Sequence, residues 1–152
     1  MGMNAGSAIR CVSEVSPQEA WEALQGDDGA ALVDVRSRAE WTFVGIPDLE
    51  SLGRSALFVE WTDFPRKSVN PRFAETVADK LGPDTPGKLF FICRSGSRSL
   101  LAAQAVSDLL ESRGIRAECV NVAEGFEGDL NTDGHRGQLN GWKFRGLAWR
   151  QS

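Results

Sequence analysis

A single histidine, His135, and three well-separated cysteines, Cys11, Cys93 and Cys119, are all that 152 residues offer of the side chains that most often bind zinc. No two of the cysteines form a Cys-x-x-Cys pair, so a zinc site lacks its ligands. An odd number of scattered thiols is also no disulfide framework. No metal and no cofactor is expected. No apolar run approaches the length of a membrane span, and residues 1–11 lack the apolar core of a secretory signal. They also lack the Ser or Thr at the sixth position that N-myristoylation needs. Excess positive charge is missing too: the net charge is −4, which excludes nucleic-acid binding driven by overall charge. These absences point to a soluble protein of a reducing compartment, most simply the cytoplasm, with neither nucleic acid nor membrane as a partner.

What is present is ordinary globular usage, 41% hydrophobic and 25% charged residues, in a chain long enough for one domain with a real core. Ser16-Pro17-Gln18-Glu19 is a helix start: Ser16 caps, Pro17 suits the first turn and Glu19 completes a capping box. Ala20, Trp21 and Leu24 then share a face, and Gly26 ends the helix. Residues 30–35 (AALVDV) read as a short buried strand leading into polar Arg36-Ser37-Arg38. Residues 37–45 form a helical turn expected to carry Trp41 and Phe43 inward. A third strand is expected over residues 56–61, then a loop over 62–69. Asn70-Pro71 opens a helix with Phe73, Ala74, Val77 and Leu81 on one face, stopped by Gly82-Pro83. Residues 117–122 give the last strand. From Glu124 onward the chain is rich in glycine and loop, anchored by Phe126, Trp142, Phe144 and Trp149. Strands alternating with helices define an α/β fold with a mainly parallel central sheet and helices on both faces. The whole chain, 1–152, reads as one domain, with 1–8 a flexible N-terminus and 124–152 a loop-rich segment packed on the body.

The most informative stretch is residues 89–106, LFFICRSGSRSLLAAQAV. Leu89 to Ile92 form a continuous apolar run of the kind a buried parallel strand shows. After the turn, Leu101, Ala102, Ala105, Val106, Leu109 and Leu110 recur at helical spacing. Cys93 therefore sits where a strand ends and a helix begins, flanked by Arg94 and Arg98. Ligands in parallel sheets bind beyond such strand ends. Backbone N–H groups curling inward through the turn, continued by the helix start, make a nest for an anion. The anion is the thiolate itself or a negative group attached to it, and a thiol so placed is an activated nucleophile without any histidine base. A buried cysteine at a strand end is also a common small hydrophobe, and that plainer role is expected for Cys11 and Cys119. His135 lies in a Gly-flanked polar turn and is expected at the surface.

The loop Cys93-Arg94-Ser95-Gly96-Ser97-Arg98-Ser99 resembles the active-site loop of single-domain members of the rhodanese (sulfurtransferase) family. VDVRSRAEW resembles that family's early Asp-Val-Arg-x3-Glu-aromatic signature, placing Asp, Arg and Glu on Asp34, Arg36 and Glu40. NVAEGFEGD and GWKFRGLAW resemble its later segments, with Ala148 where proline is common. The four matches run in family order from about residue 12 to 149. Two departures stand out. Gly45 occupies the place where the family often has histidine. Residues 48–72 are long and aromatic (Phe58, Trp61, Phe64), forming either a wall for a partner or substrate or a surface excursion packed by its own aromatics.

The resemblance implies a double displacement through a Cys93 persulfide, from a small donor such as thiosulfate to a thiol or cyanide acceptor, with a protein acceptor also open. Residues 94–99 would bind the anion, Arg94 or Arg98 would hold the donor, and Asp34, Arg36 and Glu40 would support the loop. Two rivals stand beside it. A Cys-x5-Arg phosphatase needs Arg one position later than Arg98, so the loop is sized for a sulfur atom rather than a phosphate. A persulfide carrier or rhodanese-like binding module without turnover is the other.

Overall fold

The parity of the strands decides the architecture. In the computed structural model, which describes residues 12–152, the five strands β1 (Ser13–Val15), β2 (Ala30–Asp34), β4 (Leu57–Phe58), β5 (Lys88–Ile92) and β6 (Glu118–Val122) pair in the order β1-β6-β5-β2-β4, all parallel. Leu32 lies beside Phe90 and Phe90 beside Val120, so like-facing residues line up across the sheet. Because side chains alternate, Leu32, Phe90, Ile92, Val120 and Val122 enter one core with Ala20, Leu24, Phe126 and Trp142. Val33, Leu89, Phe91, Cys93 and Cys119 enter the other with Phe73, Val77, Ala102, Val106 and Leu110. Helices thus cover both faces: α1 (Pro17–Gly26) the first, α3 (Phe73–Leu81) and α4 (Ser97–Ser112) the second. Cys11 and the stretch 1–8 expected to be flexible fall outside the described residues.

Local chemistry explains the element ends. At α1 the Ser16 hydroxyl accepts from Glu19 N–H and the Glu19 carboxylate accepts from Ser16 N–H, the reciprocal bonds of a capping box. The same device starts α2 (Arg38–Phe43), between Ser37 and Glu40. Glycines with positive φ follow α3 and α4, at Gly82 and Gly114.

Several expectations are corrected. No residue of α2 is buried, and Phe43 is 79% exposed, because this six-residue helix turns Glu40 toward Arg98 and leaves Phe43 in solvent. Trp41 turns its ring edgewise to Phe58, 5.3 Å between centroids. The strand expected over 56–61 shortens to Leu57–Phe58, yet Val59 and Trp61 still donate to the carbonyls of Asp34, the last residue of β2, and Val35, just past it. On α4 the buried stripe is Ser99, Ala102, Ala103, Val106 and Leu110, while Leu101 is exposed. In the C-terminal segment Phe126 and Trp142 are fully buried, but Phe144 and Trp149 are exposed. The aromatics of residues 48–72 do not form one wall: Phe58 meets Trp41, Trp61 meets Phe73, and Phe64 stands in solvent. The sequence reading also lacks β1, a 3-10 turn at Glu50–Leu52, and the short antiparallel pair of β3 (Ile46–Pro47) with β7 (Trp149–Arg150).

Among the described residues no helix is long and apolar enough to cross a membrane.

Candidate active site

Strand β5 ends at Ile92 and helix α4 begins at Ser97, so Cys93 opens a four-residue turn at the carboxyl edge of the sheet. Its side chain is fully buried on the α4 side. Two donors meet the sulfur: the backbone N–H of Gly96, 3.1 Å from Sγ, and the hydroxyl of Ser99, 3.2 Å away. Gly96 adopts φ +113 as the N-cap of α4, which turns its N–H back toward the thiol. An anionic sulfur at this point would accept both bonds.

The turn is held from behind. The Cys93 carbonyl accepts from Phe126 N–H at 2.7 Å, and the Arg94 carbonyl accepts from Glu127 and Gly128 N–H at 3.0 and 3.1 Å. Gly125 makes this contact possible: at φ +69, a Cβ there would lie 2.5–2.6 Å from the backbone of Cys93 and Arg94. Behind it the Glu124 carboxylate takes two hydrogen bonds from Arg145 and one from Gly141 N–H.

Glu40 joins the early part of the chain to the loop. Arg98 Nη1 and Nη2 donate to Glu40 Oε1 and Oε2, both at 2.8 Å, while Oε1 also accepts from the Ser37 N–H and hydroxyl. Burial alone would raise the Glu40 carboxyl. The Arg98 bonds, the Ser37 N–H, the Arg98 charge and the Ser37 hydroxyl outweigh it and hold the pKa at about 2. Burial likewise pulls Arg98 down, but the Glu40 bonds and charge, with the charges of Cys93 and Asp34, raise it above its usual value. The Arg98 guanidinium is thus committed to Glu40. Arg94 is exposed, and among the described residues it takes part in no ion pair.

Asp34 and Arg36, expected as supports, form a fully buried pair at the end of β2: Nη2 to Oδ2 2.7 Å and Nε to Oδ1 2.9 Å. Arg36 lies over the Phe126 ring, 4.1 Å to its centroid, and donates from Nη2 to the Gly45 carbonyl at 2.8 Å. The pair therefore ties β2 to the residue that backs the Cys93 carbonyl. Gly45 itself sits at φ +114, where a Cβ would fall 2.9 Å from the Arg150 carbonyl and 3.0 Å from the Trp149 ring. The C-terminal strand fills the space a histidine side chain would need.

His135 is exposed in a turn closed on Asn131, as expected. Cys119 is buried in the core of the sheet. Sequence reasoning missed Asn121 of β6. It is 1% exposed, and its amide contacts Ser99 and Gly96. A polar residue inside the apolar strand ECVNV was the available signal. Phe126 is expected as an anchor of the C-terminal segment, but nothing in the sequence shows that it and Gly125 back the Cys93 turn.

A parallel α/β sheet with a buried thiol cradled between a strand end and a helix start defines a class of thiol-loop domains. Within that class the chain belongs to the rhodanese-like domain family, whose model matches residues 16–131. It is 34% identical over 139 residues to an uncharacterized protein of Rickettsia conorii, covering 91% of this chain and 98% of that protein. The crystal structure of Rv0390 from M. tuberculosis superposes with a TM-score of 0.76 at 40% identity, covering 93% of this chain and 98% of that one. The polysulfide-sulfur transferase homodimer of Wolinella succinogenes shares the fold, with a TM-score of 0.53 at 21% identity over 93% of this chain and 80% of that one.

Proposed function

We propose that this protein is a sulfurtransferase that carries a sulfane sulfur on Cys93. The observation that carries the proposal is the pair of donors, Gly96 N–H and the Ser99 hydroxyl, converging on Sγ. In the first displacement the Cys93 thiolate attacks the outer sulfur of a donor such as thiosulfate. The S–S bond of the donor breaks, sulfite leaves with its electron pair, and a Cys93 persulfide anion remains. In the second, an acceptor thiolate or cyanide attacks the terminal sulfur and Cys93 departs as thiolate. This is covalent catalysis with an activated thiol, and the donors that face the sulfur stabilise negative charge before and after transfer. The polysulfide-sulfur transferase among the structural neighbours is consistent with this chemistry.

Arg94 has the role of recruiting the anionic donor, since Glu40 occupies Arg98. The burial of Cys93 means that the donor reaches Sγ only as the turn gives way. That burial also favours a second reading, a carrier whose partner protein opens the loop. Exposed Leu100 and Leu101, at the start of α4 beside the turn, offer such a partner apolar contact. Steady-state transfer from thiosulfate to cyanide separates the two readings. The enzyme reading predicts parallel double-reciprocal lines, no rate for Cys93→Ala, and a KM for thiosulfate raised about tenfold in Arg94→Ala. No turnover with small donors, alongside stoichiometric sulfur uptake from a protein persulfide, supports the carrier.

A further inference from the structure

We infer that Asn121 is the positioning residue that holds the Cys93 turn closed on its sulfur. Neither the loop motif nor its neighbours in sequence point to it. Asn121 lies on β6 opposite Phe91 of β5, on the α4 side of the sheet and 28 residues beyond Cys93. Its buried amide has three partners in the described structure: the Glu14 carboxylate at 2.9 Å, the Gly96 carbonyl at 3.1 Å and the Ser99 hydroxyl at 2.5 Å.

The chemistry of these partners fixes the amide's orientation. A carboxylate and a carbonyl both only accept, so the two N–H bonds of Nδ2 must face Glu14 and Gly96. Oδ1 then faces Ser99, the partner that can donate. The two contacts on the loop side are to the two residues that supply the donors to Sγ. Binding the Gly96 carbonyl fixes the peptide that follows this left-handed residue, and so one side of the residue whose own N–H, in the peptide before it, points at the sulfur. Binding the Ser99 hydroxyl fixes the rotamer of the side chain 3.2 Å from the same sulfur.

The Ser99 proton has three acceptors within reach: Asn121 Oδ1, the Gly96 carbonyl at 3.3 Å and Cys93 Sγ. With one proton to give, Ser99 donates to Asn121 while Sγ carries its own proton, and turns to Sγ when the sulfur is anionic. Asn121 is therefore a clamp on the loop and the alternative acceptor for that hydroxyl. Glu14, on the edge strand β1, anchors the far side of the amide, so the chain from β1 through β6 to α4 braces the turn. Without the amide, Gly96 and Ser99 lose their common anchor. The turn then opens, Cys93 becomes accessible, and the donors no longer converge.

Two readouts are predicted to move in opposite directions. In Asn121→Ala, alkylation of Cys93 by iodoacetamide, read by peptide mass, rises about tenfold over wild type at pH 7, because the thiol is no longer enclosed. Persulfide accumulated on Cys93 from a fixed concentration of sulfane donor falls at least fivefold, because the donors that stabilise it have dispersed. The second readout rests on the proposed sulfur chemistry; the first does not. Val120→Ala, on the same strand, removes packing but no hydrogen bond, and at matched thermal stability it leaves the alkylation rate of Cys93 near the wild-type value. Ser99→Ala, which removes one of the two loop contacts, raises alkylation about threefold and serves if Asn121→Ala fails to fold. Unchanged alkylation in the foldable variants, or an equal rise in Val120→Ala, overturns the inference. A tenfold rise with no persulfide even in the wild type upholds the clamp and removes the sulfurtransferase reading instead.

Discussion

Arg98 and Glu40, 58 residues apart, meet in a fork of two 2.8 Å hydrogen bonds. The first turn of α4, which carries the loop, is thereby fastened to the capping box of α2. With the Glu40 pKa held at about 2 against an ordinary value of 4.5, the carboxylate binds protons less readily folded than unfolded. A depressed carboxyl stabilises the fold above the unfolded pKa, and that contribution is lost as pH falls through the folded one. The window is therefore pH 4.5 down to about 2. Glu40→Gln is expected to cost about 2 kcal/mol at pH 7, in the range of charge-assisted hydrogen bonds. The gap from wild type should close across that window in urea titrations run at successive pH values. A gap that does not change between pH 7 and pH 2 contradicts the assignment.

The buried Asp34–Arg36 pair behaves differently, because neither partner touches water. Removing one leaves the other charged and buried, which costs about 3–5 kcal/mol. Arg36→Met and Asp34→Asn are each expected to fall in that range by urea denaturation. The double variant should cost clearly less than the sum, since neither charge is then left stranded. Additive losses would mean that the two side chains act separately. Arg36 Nη1, buried without a hydrogen-bond partner among the described residues, already makes this guanidinium the less satisfied member.

Gly125 makes the sharpest steric test. Alanine there meets both a left-handed φ and a Cβ 2.5 Å from the Arg94 carbonyl. The expected loss is about 2–4 kcal/mol, summing backbone strain and displacement of the turn. Gly87→Ala, whose Cβ meets nothing within 4 Å, should change stability by less than about 0.5 kcal/mol. Thermal unfolding of the two variants side by side gives the comparison; equal effects would show that the segment behind Cys93 yields freely.

Much of this was legible in the sequence, where a residue's neighbours in the chain decide its environment. The Ser16–Glu19 capping box, the apolar run before Cys93 and the Gly82-Pro83 stop are local signals, and each formed as expected. The Ser37–Glu40 box carries the same spacing and was there to be read. What could not be read depends on contacts distant in the chain. Phe43 looks like a core residue until α2 is seen to bury none of its side chains. Arg98 looks like a free cation until Glu40 arrives from the other end of the fold. Gly45 looks like a lost histidine until β7 is seen crossing it. Asn121 reads as a blemish in an apolar strand until Gly96 and Ser99 are brought to it.

The central claim is that Cys93 carries sulfur, and intact mass after incubation with thiosulfate or a low-molecular-weight persulfide tests it most directly. The account predicts that the wild type gains one sulfur atom, that cyanide or a reductant removes it, and that Cys93→Ala gains none. A wild type whose mass is unchanged by every sulfane donor offered, with Cys93 alkylatable and the fold intact, contradicts it.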